Sequence, residues 1–531
     1  MIKNKYLKKK IVIDCLKSMC ITIILYLICE TFEGIISIFI ANVIGEFADA
    51  IFTMNIDYGI TQIWELLGCI FIIVFAMPLF NMLCESTMFS ASLKHDRMIY
   101  KQFLEKNYAS VIRLPASEIQ YRVENDAIDM RSTLIDVVVK SITTIIMLIL
   151  LLYNALSISW AFTIIVFLVS LIKLFVPIIV KKMQQLYDKE TREYGSNVRN
   201  VETEMTKHAC SVKIFGLKKF FLSKLNVLYT AFYKKIFKRK NNCNVISGSI
   251  LSFLGSLCTL SILFVGAIMV SKNSITPGNV TTMIGYFAVF NTIIGNVDFL
   301  IRNIPLLKNT IDRMEALYSD KEIDGLEEIK EFDHLIFEKV SFYYDDKIVL
   351  DNLNFQVKSG EKVVICGKNG SGKSTLIKIL CGLLKPQCGV VKINNFNLDD
   401  ISLSMWRNKF SYVEQEPHLF KGSVLENIIL GKDIEETKIA EIMKKIGISH
   451  LKERNVSSEG DDLSGGEKQK ISIARALLRN TSILILDEPN NNLDVESRDW
   501  LYKFIKETEK TVVYVSHDDK FIELADKRIF L

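Results

Sequence analysis

No two cysteines in this sequence share a metal-ligand or disulfide spacing. The eleven cysteines are scattered singly. Cys20, Cys29, Cys69 and Cys258 sit in apolar runs, and Cys366, Cys381 and Cys388 in a later region of mixed composition. Isolated thiols of this kind behave as small hydrophobes, which argues against a zinc or disulfide framework. A strong charge imbalance is also missing. Lys and Arg number 65 against 60 Asp and Glu, a net charge of +5, so bulk charge gives no reason to expect a nucleic-acid partner. Low-complexity segments and short-period repeats are absent. The basic start, Met1 to Lys10, leads into an apolar run too long for a signal peptide and without a small-residue cleavage site. It reads as a retained first membrane helix.

What the chain has in quantity is apolar sequence. Half of its 531 residues are hydrophobic and the mean hydropathy is +0.25, an unusual balance for a water-soluble protein. Long apolar stretches place six membrane spans at about 15–44, 63–90, 134–156, 158–180, 245–271 and 279–302, each long enough for a bilayer. The connections 94–131 and 181–240 are long and basic, whereas 45–62, 157–159 and 272–278 are short, with Lys272 their only cation. The positive-inside rule then expects both termini and both long loops in the cytosol. The Lys/Arg clusters read as solvated faces that set topology.

Within the spans, Glu30 and Glu33 lie roughly on one helix face with Gly34, Ser37 and Ala41. Intramembrane acids face a cavity or a partner, so this pair is read either as attraction for a cationic cargo or as a wet cavity with a local ion pair. Asp298 and Arg302 are spaced to pair with each other. Lys173 is expected to snorkel to the cytosolic interface.

The grammar changes after about Ile304. A charged, helical connector is expected to Asp333, and from His334 short β-type runs alternate with helical stretches. The runs are Lys362 to Cys366, Gly389 to Ile393, Ile483 to Leu486 and Thr511 to Val515. That alternation predicts an α/β domain with a largely parallel sheet. The expected division is 1–305 membrane domain, 306–333 connector and 334–531 α/β domain.

Two motifs in the α/β domain carry chemistry. Gly367, Lys368, Asn369, Gly370, Ser371, Gly372, Lys373, Ser374 and Thr375 follow a strand and open a helix from Leu376. This is the context of a P-loop. Its glycines let backbone N–H groups turn inward around phosphates, and the helix N-terminus adds a positive dipole. Lys373 reaches the β- and γ-phosphates of ATP and the Ser374 hydroxyl ligates Mg²⁺. Downstream, Ile483 to Leu486 is a buried strand ending in Asp487 and Glu488. Asp487 is expected to hold Mg²⁺. Glu488, turned elsewhere by strand alternation, is expected to polarise the attacking water.

Between these lies Leu463-Ser464-Gly465-Gly466-Glu467, continuing to Arg475. Here the chain resembles the ATP-binding cassette (ABC) transporter family, whose signature is Ser-Gly-Gly at a helix start. Ser464 and the N–H groups of Gly465 and Gly466 then form a second phosphate cradle. The family has Gln where this chain has Glu467, and a carboxylate so near a γ-phosphate is expected to point away.

The resemblance implies further roles. Tyr344 is similar to the aromatic that stacks on adenine, with Tyr343 the alternative. Gln415 resembles the glutamine that senses γ-phosphate and metal, and His517 the histidine that contacts the γ-phosphate. Asn490-Asn-Asn-Leu-Asp494 occupies the D-loop but departs from its usual small Thr, Ser and Ala residues. Segments near 106–115 and 201–216 resemble the two coupling helices of the exporter class. The fold implied is an α-helical six-span transmembrane domain followed by an α/β P-loop NTPase domain of ABC type.

The function implied is ATP-driven export by a half-transporter. Its signature would face the P-loop of a second half-transporter, and the complete motif set points to a homodimer. ATP and Mg²⁺ are the implied cofactors, and membrane lipid and the exported substrate the other partners. No nucleic acid is expected, and the setting is a bacterial cell membrane. A small, bacteriocin- or lantibiotic-like peptide leads as cargo. Multidrug or lipid export, and an ATP-gated channel or regulatory subunit, are the alternatives. About fourteen residues precede the first span, so no N-terminal peptidase domain is expected.

Overall fold

The computed structural model describes residues 2–114, 116–344, 347–457 and 462–531. They form two compact units. One holds Met1–Leu104 and Pro115–Ser319, the other Glu105–Leu114 and Asp320–Leu531.

Among the described residues of the first unit, six helices are long and apolar enough to cross a membrane. They are α1 (Ile2–Phe52), α2 (Ile56–Leu104), α3 (Glu118–Ile158), α4 (Trp160–Lys207), α5 (Lys218–Ser271) and α6 (Pro277–Tyr318). Each covers one predicted span, α4 starting two residues inside its own, and runs well past it at one end or both. Helices α2, α3 and α5 each carry one π-turn, at Ile72–Ala76, Arg122–Asp126 and Phe232–Phe237. Their starts are set locally. The Asn55 side chain accepts from the Tyr58 N–H, and Ser159 accepts from that of Phe162. Thr276 caps α6, with Pro277 at its first turn, where a missing N–H costs nothing.

Helices α1 and α6 pack along a small-residue seam. A Cβ on Gly278 would lie 2.2 Å from the Gly45 carbonyl oxygen, so only glycine permits this approach. Asp49 closes the seam, accepting from the Gly278 N–H at 2.6 Å and the Thr276 hydroxyl at 2.6 Å.

Several intramembrane charges find partners within the bundle. Asp298 and Arg302 pair as expected. Glu30 pairs with Lys140 of α3 at 3.4 Å and accepts from the Thr143 hydroxyl at 3.2 Å. Lys173 does not snorkel. It is 6 % exposed, donates to the Asn291 carboxamide oxygen at 2.7 Å and lies 4.6 Å from the centre of the Phe287 ring. A hydrogen bond and a cation–π contact from α6 replace the headgroup contact that a snorkelling lysine would reach.

In the second unit, β1 (His334–Tyr344), β2 (Lys347–Lys358), β4 (Cys388–Ile393) and β5 (Phe396–Asn397) form an antiparallel sheet in the order β2-β1-β4-β5. A parallel sheet takes β3 (Lys362–Cys366), β6 (Phe410–Val413), β9 (Ile483–Asp487), β10 (Thr511–Val515) and β11 (Lys527–Phe530), in the order β11-β3-β10-β9-β6. The pairs β7 (Gly422–Ser423) and β8 (Asn455–Val456) stand apart. Every residue of β9 and β10 is buried, which is why these strands read as unbroken apolar runs. Helices α7 (Lys373–Leu380), α8 (Gly465–Leu478) and α9 (Val495–Glu507) flank the sheet strands in sequence.

The connector is helical only in its first half. Helix α6 continues through Pro305 to Tyr318, and Asp320 to Asp333 then runs without a helix. This stretch is tied down by its acids. Glu322 forms two hydrogen bonds with Arg407, at 2.6 and 2.8 Å, and Asp324 accepts from Ser402 at 3.1 Å. The segment Glu105–Leu114 belongs to this unit. The Asn107 N–H donates to the Asp320 carbonyl at 2.8 Å, and Tyr108 and Ala109 pack against the sheet core. The predicted first coupling segment, 106–115, therefore lies here except for Pro115, which is outside the described residues.

Candidate nucleotide site

A cleft of about 440 Å³ is lined by Tyr344, Val349, Asn369, Gly370, Gly372, Lys373, Ser374, Thr375, Gln415 and Glu488. The β3–α7 loop forms its floor. Gly370 and Gly372 have φ of +81° and +102°, a region closed to most residues. A Cβ on Gly372 would lie 2.7 Å from Leu350 Cδ2 and 2.9 Å from the Val349 carbonyl. The loop is therefore packed closely on β2, and the Lys373 side chain beside it is 7 % exposed. Its ammonium donates to the Gly367 and Lys368 carbonyls at 2.9 and 3.1 Å. The Ser371 hydroxyl is buried without a hydrogen-bond partner among the described residues. A lysine held by two carbonyls, an orphan hydroxyl and the α7 N-terminus together fit an incoming polyphosphate.

Asp487 ends β9 at 3 % exposure. Burial first, and then the Glu488 carboxylate, push its carboxyl above the ordinary range; Ser374, Lys373 and Lys378 oppose the shift. With Gln415 these groups offer oxygen donors, which fit a hard cation completed by phosphate and water.

Glu488 is not turned by strand alternation. β9 stops at Asp487, and Glu488 takes the left-handed region at φ +48°. That backbone turn brings its carboxylate into the cleft. Oε2 accepts from Gln415 Nε2 at 2.9 Å and Asn491 Nδ2 at 2.7 Å, and Oε1 lies 3.7 Å from His517 Nε2. Gln415, Glu488 and His517 thus come together although 102 residues separate the first from the last (517 − 415). Tyr344 joins the cleft edge, whereas the Tyr343 backbone is bound to the Gln387 side chain. Asn491 is the site residue whose contact the sequence reading missed. Its signal was the departure from small residues in the D-loop.

Ser464, Gly465 and Gly466 lie at the start of α8 and do not line this cleft. Ser464 and Glu467 form a capping box. Glu467 Oε2 accepts from the Ser464 N–H at 2.8 Å and from its hydroxyl at 2.9 Å, and the Glu467 N–H donates to Ser464 Oγ at 3.2 Å. The Ser464 backbone N–H is the largest cause holding the Glu467 carboxyl below its ordinary range. The carboxylate thus folds back on its own helix start, a role glutamate shares with glutamine.

The ABC transporter transmembrane region family matches residues 23–294, and the ABC transporter family matches residues 350–491. The chain belongs to the ABC transporter family. As an ABC transporter chain it is a multi-pass membrane protein whose cassette binds ATP.

Among curated relatives, it is 28 % identical over 320 residues to the lactococcin-A transport/processing ATP-binding protein LcnC of Lactococcus lactis subsp. lactis, covering 58 % of this chain and 44 % of that one. It is 32 % identical over 299 residues to the pediocin PA-1 transport/processing ATP-binding protein PedD of Pediococcus acidilactici, covering 52 % and 40 %. With the ATP-dependent lipid A-core flippase of Francisella tularensis subsp. tularensis (strain FSC 198) the identity is 26 % over 475 residues, covering 82 % and 76 %. The matches to the two bacteriocin relatives thus span less than half of their length. A bacterial Atm1-family ABC exporter with ATP bound shares the fold, with a TM-score of 0.81 at 18 % identity, covering 97 % of this chain and 93 % of the other.

Proposed function

We propose that this chain is one half of an ATP-driven exporter and that two copies of it assemble the working pump. The observation that carries the reading is the gathering of Lys373, Asp487, Gln415, Glu488 and His517 at one cassette cleft, in a chain with six candidate spans. Bound MgATP supplies the γ-phosphoryl group and the cation that offsets its charge. Lys373 and the P-loop N–H groups hold the phosphates, and Asp487, Ser374 and Gln415 hold the metal. Glu488 accepts the proton of the attacking water, and His517 stands beside it. Tyr344 stacks on the adenine. Ser464, Gly465 and Gly466 serve the partner copy's nucleotide. The long basic loops, both termini and the cassette face the cytosol of a bacterial cell.

The proposed cargo is a small cationic peptide. The bacteriocin-transport relatives support this class. So does a cavity of about 230 Å³ among α1, α3 and α6, lined by Glu30, Glu33, Ser37, Lys140, Thr143, Thr292 and Asn296 among others. Lys140 pairs directly with Glu30, and Glu33 adds a second acidic side chain to the lining. Lipid is the second reading, because the flippase match extends over more of the chain than the peptide-exporter matches do.

The catalytic assignment is tested with Glu488→Gln. The purified full-length variant should bind ATP as wild type does and lose steady-state hydrolysis by about a hundredfold or more, the ordinary worth of a positioned general base. Near-normal turnover would remove Glu488 from that role.

A further inference from the structure

The D-loop departs from the small residues of the family where it carries Asn490, Asn491 and Asn492, and the structure shows what one of these asparagines does. The chain leaving β9 makes a β-turn, Glu488-Pro489-Asn490-Asn491, closed by the Asn491 N–H on the Glu488 carbonyl at 3.2 Å. Proline at the second position of such a turn presets its φ. The turn returns residue 491 over residue 488, so the Asn491 carboxamide meets the Glu488 carboxylate at 2.7 Å. A carboxylate accepts only, so the group facing it must be the amide N–H₂.

The far side of the turn is anchored. Leu493 is buried, and a Cβ on Gly466 would lie 2.6 Å from the Asn492 carbonyl. The turn therefore rests on the start of α8, which fixes the backbone beside residue 491.

We propose that Asn491 is a positioning residue for hydrolysis: it holds Glu488 Oε2 and leaves Oε1 toward His517 for the attacking water. The inference rests on the reading of Glu488 as the base. Gln415 donates to the same oxygen at 2.9 Å, but in the proposed cycle Gln415 also serves the metal. When Gln415 turns to the metal, Asn491 alone keeps the carboxylate in place. Glu488 needs this restraint because its left-handed backbone is strained, and nothing in the peptide itself fixes its side chain.

The test measures ATP hydrolysis by the full-length protein in nanodiscs for wild type, Asn491→Ala, Asn491→Asp and Glu488→Gln. Asn491→Ala should lower kcat on the order of tenfold, a part of what a general base supplies, with the KM for ATP within about twofold of wild type. Asn491→Asp keeps the shape and forms turns equally well, but it sets a carboxylate against Glu488 and should lose at least as much. A purely structural turn role predicts the reverse, with Asp near wild type. Residue 491 is exposed; if the alanine variant is poorly recovered, Asn491→Leu, of similar shape but without a donor, is read by the same criteria. An inactive Glu488→Gln beside an Asn491→Ala kcat within twofold of wild type overturns the positioning role and leaves the base assignment standing. A rise in KM alone also overturns it. An active Glu488→Gln removes the base and this inference with it.

Discussion

Gly372 shows how much a single backbone angle decides at the residue scale. With φ at +102° and no room for a Cβ, alanine there must push back the Leu350 side chain and the Val349 carbonyl or distort the loop. The expected result for Gly372→Ala is a loss of ATP affinity of at least tenfold, equivalent to about 1.4 kcal/mol, measured by equilibrium binding on the full-length protein. Unchanged affinity would mean that the loop does not set the phosphate cradle. Motif spacing made Gly372, Lys373 and Asp487 legible because each role follows from its place at the end of a strand or the start of a helix. Glu488 was legible in identity but not in geometry, since alternation along a strand says nothing about a residue beyond the strand's end. Asn491 was hidden for a related reason. A turn that folds residue i+3 over residue i is not marked by residue type when asparagine suits many loop positions. Glu467 reads as an unwanted charge in sequence, and the capping box that absorbs it appears only once the helix start is placed.

The apolar runs marked all six membrane helices at the element scale, but not their full lengths. The helices extend beyond the predicted spans because their outer turns are polar and bind one another. Asp126, in the π-turn of α3, is fully buried and receives two hydrogen bonds from Arg313 of α6, at 2.8 and 2.7 Å. Arg313→Ala would leave that carboxylate buried without its ion-pair partner, at a cost of about 3–5 kcal/mol. Thermal unfolding in detergent should show a clear drop in Tm for Arg313→Ala and a partial recovery in the Asp126→Asn, Arg313→Ala double variant. Equal losses in both would show that the pair is not the source. Lys173 carries the same lesson for sequence reading. Its intramembrane charge was visible, but the direction it takes depends on Asn291 and Phe287, 118 and 114 residues away in sequence (291 − 173 and 287 − 173), so periodicity could not supply it. The non-helical second half of the connector has a similar origin: Glu322 and Asp324 bind Arg407 and Ser402, distant in sequence, and hold the stretch off a helical path.

For the whole molecule, the P-loop cleft and the signature lie apart within one chain, and the proposed pump uses each of them twice, across two copies. Nucleotide can drive the helices only if it binds the closed arrangement more tightly than the open one. Accumulation of cargo against its gradient is the property that separates such a pump from an ATP-gated channel. The most direct measurement reconstitutes this chain, purified alone, in sealed vesicles with the cassettes outside and a labelled cationic peptide on both sides. With MgATP, the wild-type protein should concentrate the peptide inside, and the Glu488→Gln variant should not. Peptide that only equilibrates across the membrane, or that accumulates equally in the Glu488→Gln variant, would contradict the account.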